Sequence, residues 1–275
     1  MSPSKTAAAA ATKVPPKPRS GTGRKRSDIS PERLAALHAG APSTHLVENL
    51  AIDFAVLMEA AFPELEETVI EEMGEAAELG ITQRMALAGE LLLEQLGETA
   101  FEKLLTHGSD TVRGWACYLL ARQPKLSLKQ RLTRIRPLAD DPHFGAREWA
   151  WMALRPALAA ELDEAISLLV PWTREKSERL RRWACEALRP RGVWCAHIDT
   201  LKTQPELGLP ILEPLRADPS PYVQDSVANW LNDASKTRPG WVRETCARWL
   251  SESLCAATQR ICKRAQRSLP PLPRA

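Results

Sequence analysis

R-R-W-A-C-E-A-L-R-P-R-G-V-W, Arg181–Trp194, reads as a helix with one apolar side and one unusually charged side. Helical spacing places Arg182, Glu186 and Arg189 at i, i+4 and i+7, on a single face. Trp183, Ala184, Ala187 and Leu188 take the opposite, core-facing side. The opening of this stretch has two upstream copies. Val112-Arg-Gly-Trp-Ala116 and Ala146-Arg-Glu-Trp-Ala150 precede Leu180-Arg-Arg-Trp-Ala184, so Trp115, Trp149 and Trp183 are spaced by 34 and 34 residues. Val223–Val227 and Val242–Cys246 are weaker copies at other spacings. Each copy follows a polar turn and opens a helix with Arg early and apolar residues at helical intervals. Helical hairpins repeated at this period are the signature of an α-solenoid, because one hairpin cannot bury its apolar face alone.

The repeat resembles HEAT repeats, in which a turn Asp and an early Arg are typical. The expected fold is all-α: a right-handed α-solenoid of HEAT-like helical repeats, with a concave basic groove lined by the second helix of each pair. Composition agrees. Leu, Ala, Arg, Glu and Trp dominate the 275 residues, while Val, Ile, Tyr and Phe are scarce, which favours helix over strand.

Charge is uneven along the chain. Residues 48–102 hold fourteen acids and a single basic residue, Arg84, whereas residues 103–275 hold 28 basic and 18 acidic residues. A basic half joined to an acidic half implies an oriented electrostatic surface and a polyanion as partner. The six cysteines show no C-x-x-C spacing, and five scattered histidines give no zinc-ligand set; no metal or cofactor is expected. No apolar run approaches a membrane span, and Ala7–Ala11 is too short for a signal-peptide core. The expected setting is a reducing cytoplasm.

Residues 1–29 form a basic tail without periodicity, expected to be disordered and to touch nucleic acid loosely if it acts at all. The repeat domain is expected over residues 30–265, followed by a flexible Pro-rich tail, 266–275. Ser-Pro-Glu-Arg from Ser30 is a helix start, with Ser at the N-cap and Pro at N1. Thr44–Phe62 reads as one amphipathic helix, Glu64–Leu79 as the next, and Thr82–Leu96 as a third, ended by Gly97.

The polar positions can be aligned across repeats. The helix near Ala146 carries Arg147, Glu148, Trp151 and Arg155; the next carries Arg182, Glu186 and Arg189; the next carries Asn229, Asn232, Asp233 and Lys236. Stacked helices would bring these together. Arginine and lysine can hold phosphates by charge-assisted bonds. Carboxylates in a phosphate-binding groove are repelled by DNA, so they make sense where the ligand is locally cationic, as at a charged base or an oxocarbenium-like sugar. Tryptophan adds a cation–π surface. Plainer readings stand beside these: Glu186 between Arg182 and Arg189 as a salt-bridge ladder, Asn229 and Asn232 as caps or bridges, and Lys236 and Arg191 as solvated surface. Trp149, Trp183 and Trp230 are expected in the core, and Trp151, Trp172 and Trp194 in the groove.

The blocks from Trp172 to Trp194 and from Leu209 to Lys236, with Arg33–Phe54, resemble the bacterial DNA alkylation repair family of HEAT-like glycosylases, specifically its AlkC branch. The resemblance covers about residues 30–250. It implies hydrolysis of the N-glycosidic bond of cationic N-alkylated bases, such as 3-methyladenine-type lesions, in duplex DNA, by a monomeric, nucleoid-associated bacterial enzyme without metal or lyase step. It implies that Glu186, at the Glu of the family's R-R-x-A-S-E-G-x-R-P-R, and Asp233, at the Asp of S-V-A-N-x-L-N-D, are functional carboxylates. The family's third acid, in S-E-F-A-I-R-P, falls on Trp151 here, and Glu148 lies one turn earlier on the same face. The catalytic set is thus expected to be Glu186, Asp233 and Glu148. DNA contacts are expected from Trp151, Arg155, Arg182, Arg189, Arg191, Trp194, Asn229, Asn232 and Lys236. The alternative is a non-catalytic HEAT-repeat scaffold that binds DNA or protein.

Overall fold

The structure, a computed structural model, describes residues 25–253 and 255–270. Among these, all regular structure is helical. The amino-terminal helices are α1 (Pro31–His38), α2 (Leu46–Ala51), α3 (Phe54–Ala61) and α4 (Glu67–Glu75). The repeats follow as α5 (Ile81–Leu96), α6 (Ala100–Leu105), α7 (Asp110–Arg122), α8 (Leu128–Ala139), α9 (Phe144–Ala160), α10 (Leu162–Leu169) and α11 (Glu178–Glu186). They continue as α12 (Asp199–Thr203), α13 (Leu209–Leu215), α14 (Pro221–Ser235), α15 (Pro239–Glu252) and α16 (Ala256–Ala265).

One layer runs α5, α7, α9, α11, α14, α16, each packed on the next, and the helices between them pack behind it. The chain is an all-α solenoid. Trp115, Trp149, Trp183 and Trp230 are buried, as their place on the apolar faces implies. Successive repeats approach closely enough that Gly114 has no room for a side chain: a Cβ there would lie 2.5 Å from the Trp149 ring. The glycine of V-R-G-W-A is where the next repeat's tryptophan seats.

Most of residues 1–29 lie outside the described residues; the last five contain a 3-10 turn, Arg26–Asp28. Of 266–275, only 266–270 are described. Ser30 caps α1, its hydroxyl accepting from Arg33 N at 3.2 Å. Thr44–Phe62 is two helices rather than one. The side chain of Asp53 accepts the N–H groups of Ala55 and Val56 and starts α3 afresh. Local capping outcompetes continuation here. The segment expected from Glu64 starts at Glu67.

The early arginine of each strong repeat has one job. Nη1 of Arg113 donates to the carbonyls of His107 and Gly108. Arg147 does the same at Asp141 and Pro142, and Arg181 at Glu175 and Lys176. Arg113 and Arg181 also clamp the Asp of the following turn, Asp141 at 2.8 Å and Asp218 at 2.6 Å. Arg147 faces no such Asp and turns to Tyr222, whose hydroxyl lies 3.3 Å from its Nε. The amino-terminal segment is keyed to the solenoid by buried Asp110, which accepts from Ser43 N and Asn49 Nδ2, both at 2.7 Å.

Candidate active site

Helix α11 is shorter than its sequence suggests. It stops at Glu186, and Ala187 and Leu188 turn into the loop that holds Arg189 and Pro190. Arg189 still reaches back, donating to Glu186 Oε1 at 2.6 Å. The same Arg-Pro pair one repeat earlier, Arg155-Pro156, sits inside a continuing helix, α9.

A chain of alternating charges crosses α9, α11 and α14. Arg182 bridges Glu148 (2.5 Å) and Glu186 (3.7 Å). Arg189 bridges Glu186 (2.6 Å) and Asp233 (2.8 Å). Lys236 approaches the outer oxygen of Asp233 at 3.7 Å. Ser226 Oγ donates to the second oxygen of Glu186 at 2.6 Å. The Arg182 guanidinium lies over the Tyr222 ring, 4.8 Å from its centre. Glu186 and Asp233 are buried, while Glu148 is 31% exposed at the side chain. Trp151 Nε1 donates to Glu148 Oε2 at 2.8 Å and fixes that carboxylate at the rim.

Three carboxylates therefore share two partly buried guanidiniums, with half-exposed Lys236 at one end. Their proton affinities split accordingly. Burial pushes Glu186 up, but Arg182 and Arg189, aided by Ser226, outweigh it and hold the carboxyl below its ordinary value. At Asp233 burial wins: Arg189 is shared with Glu186, whose own charge adds to the rise, and the carboxyl lies above its ordinary value. Burial lowers Arg182, but Glu186 and Glu148 reverse this and the net shift is upward.

The chain forms one wall of a cavity of about 440 Å³, bordered by Glu148, Trp151, Arg182, Glu186, Arg189 and Trp194 among others. Asn49 and Leu46 of the amino-terminal segment close its other side. Of the expected site residues, the remaining six lie outside this lining, and two of them, Arg155 and Asn232, are buried in other contacts. Arg155 is 2% exposed and gives its guanidinium to three carbonyls, those of Ala187, Arg189 and Ala196. It is a fastener of the loop after α11, buried away from any phosphate. Asn232 is buried and bridges to Ala265 O at 3.0 Å. Asn229 accepts from Arg267 at 3.0 Å. Arg191 rests on Asp233 O at 3.3 Å, and Lys236 stands exposed at its helix end. Asp233 joins the site through Arg189 alone. Trp172, expected in the groove, is buried against Trp183 with ring centres 5.1 Å apart.

Ser226 and Tyr222 were not singled out from the sequence. Ser226 left a signal: a hydroxyl on the apolar face of α14 must find a buried partner. Tyr222 left none, because its place between Arg147 and Arg182 depends on how two repeats stack. Among the described residues, no three His, Cys, Asp or Glu side chains are grouped to hold a metal, and no helix is long and apolar enough to cross a membrane.

This architecture has relatives. An uncharacterized protein of Bacillus subtilis (strain 168), YhaZ, is 43% identical over 135 residues, spanning 49% of this chain and 36% of that protein. The Pseudomonas fluorescens alkylpurine DNA glycosylase AlkC, solved with DNA containing an abasic-site analogue, superposes with a TM-score of 0.63 at 25% identity. That match covers 90% of this chain and 65% of AlkC. AlkD2 from Streptococcus mutans shares the fold, with a TM-score of 0.54 and 22% identity over 78% of this chain and 97% of its own. The sequence pattern of the DNA alkylation repair enzymes matches residues 90–254, from the second half of α5 through α15, and takes in the whole charged chain. The protein belongs to the DNA alkylation repair enzyme family.

Proposed function

We propose that the protein is a monofunctional DNA glycosylase that hydrolyses the N-glycosidic bond of cationic N-alkylated bases in duplex DNA. The observation that carries this reading is the placement of carboxylates in the basic half of the molecule: Glu148 and Glu186 line the cavity between Arg182 and Arg189, and Asp233 adjoins them through Arg189. Carboxylates at the cavity wall repel phosphate and favour a cation. A cationic base and the oxocarbenium-like sugar formed as it departs both supply one.

In this reading Glu186, held ionised by its arginines, faces the developing positive charge on the sugar. The bond between C1′ and the base nitrogen breaks, and the base leaves neutral with the electron pair. A water oxygen bonds to C1′ and gives its proton, relayed by a second water because Asp233 lies behind the cavity lining, to Asp233, whose raised proton affinity suits a base. Glu148, fixed by Trp151, supports the same charge from the rim. No lysine lines the cavity among the described residues, so a Schiff base with the sugar has no donor there.

One observation favours the non-catalytic alternative: both oxygens of Glu186 are already engaged, by Arg189 and by Ser226. Release of free methylated bases from methylated duplex DNA separates the readings. Wild-type protein is expected to release them, and Glu186→Gln and Asp233→Asn to bind DNA without release. Tight binding with no release by wild type would leave a DNA-binding scaffold.

A further inference from the structure

Few large apolar side chains are exposed on this molecule, and three of them, Leu46, Val193 and Trp194, border the same cavity. Exposed apolar groups gathered at one rim mark a contact surface. Val193 and Trp194 form the tip of the loop that follows α11, and that loop is built to stay still. Arg155 ties its two ends together through the carbonyls of Ala187, Arg189 and Ala196. Gly192 is pressed against Cys195, so that a Cβ would fall 2.0 Å from Sγ. Trp194 is held at φ 62°, in the left-handed region that side chains of its size avoid. None of this serves burial, since Val193 is 64% and Trp194 44% exposed.

We propose that Val193 and Trp194 are a preformed wedge that enters the base stack of duplex DNA beside the charged chain. Arg155 is the positioning residue that keeps the wedge rigid. The inference rests on DNA being the ligand, as above, but not on base excision. Duplex DNA is the occupant because of what flanks the tip. The stem carries Arg191, whose Nε rests on Asp233 O, and residues 103–275 hold 28 basic against 18 acidic residues. Phosphates on either side thus meet positive charge while unstacked bases meet apolar surface.

The test uses the full chain and a duplex with 2-aminopurine beside a tetrahydrofuran abasic analogue, where a fluorescence rise reports unstacking. Wild type is expected to raise the signal. The Val193→Ser, Trp194→Ala double variant, altered only at exposed side chains, should lose most of the rise. Its affinity for the abasic duplex should fall by on the order of tenfold, and for an undamaged duplex far less. Gly192→Ala should displace the loop and lose the signal. Adding Cys195→Ala removes Sγ and leaves the Arg155 guanidinium, at 3.6 Å, as the nearest neighbour, so the signal should return. A double variant that unstacks like wild type overturns the wedge. So does an equal loss of affinity for both duplexes, which would make the tip a general groove contact. So does a wild-type dimer that the double variant abolishes without changing fluorescence, which would assign the tip to a second copy. Because the duplex carries no alkylated base, failure of the wedge and failure of the glycosylase are read separately.

Discussion

Two sets of arginine–carboxylate pairs run through this solenoid, and only one of them repeats. Along the turns, Arg113 and Arg181 each grip two carbonyls behind them and one aspartate ahead. Charges there balance one to one. Beside the cavity, Glu148, Arg182, Glu186, Arg189 and Asp233 alternate across three helices, from part-exposed Glu148 to buried Asp233. The side chains are of the same kinds and the distances are similar. What differs is period: a contact that recurs with the repeat holds repeats together, and the set that occurs once, beside the cavity, is the one we propose for a ligand.

The contrast breaks most visibly at Glu186. Glu186→Gln is expected to reduce base release by roughly 10²–10³-fold, the effect of losing one preorganised charge at a reacting centre. It should also lower Tm at neutral pH. The sign follows from the lowered proton affinity: the ionised form stabilises the fold above the ordinary carboxylate value and loses that effect as pH falls through its lowered one. Asp233→Asn should reduce release by about 10²-fold, in the range of a lost general base, yet move stability the other way. A carboxyl raised on folding stabilises below its ordinary value, and that contribution is lost as pH rises through the folded value. At pH 7 the ionised Asp233 is therefore a liability, and the amide should raise Tm. Base-release rates and calorimetry on the two variants check both signs; a fall in Tm for Asp233→Asn would show that Arg189 serves it fully. The acidic limb of the wild-type rate should lie above the ordinary aspartate range and vanish in Asp233→Asn.

In the repeating set the expectation is reversed. Arg181→Met leaves Asp218 buried without its partner and should cost about 3 kcal/mol. Urea denaturation measures it. Base release at a temperature where the variant is folded should stay close to wild type.

This division explains what the sequence could tell. Period and patterning carried the solenoid, because Trp115, Trp149 and Trp183 at equal spacing have one way to share a core. The charged chain was partly legible, since Arg182, Glu186 and Arg189 share a face by spacing alone. Arg155 was misread for a physical reason. It occupies the position of Arg189 one repeat earlier, so the repeat makes the two equivalent. The early end of α11 makes them different, by creating a loop three of whose carbonyls Arg155 takes. Asn232 fell the same way: a groove in a linear pattern was, in the folded chain, a seam with the residues after α16. Nearest-neighbour repeats announce themselves in sequence, and departures from them do not.

The finest test of the comparison is Lys236, which stands half exposed at the end of the charged chain, 3.7 Å from Asp233. As an exposed ion pair it contributes within about 0–1 kcal/mol to stability, so Lys236→Ala should barely move Tm. Its two possible roles leave separate traces. If it neutralises phosphate, the slope of log affinity for undamaged duplex against log salt should shrink by about 1. If it restrains Asp233, removing its charge lets that carboxyl rise further, and the acidic limb of base release should move to higher pH. The geometry places its ammonium within reach of both, at the junction of carboxylate and solvent, so both changes are expected together. A salt slope that shrinks while the limb stays fixed would detach Lys236 from the charged chain, and the chain would then end at Asp233, held by Arg189.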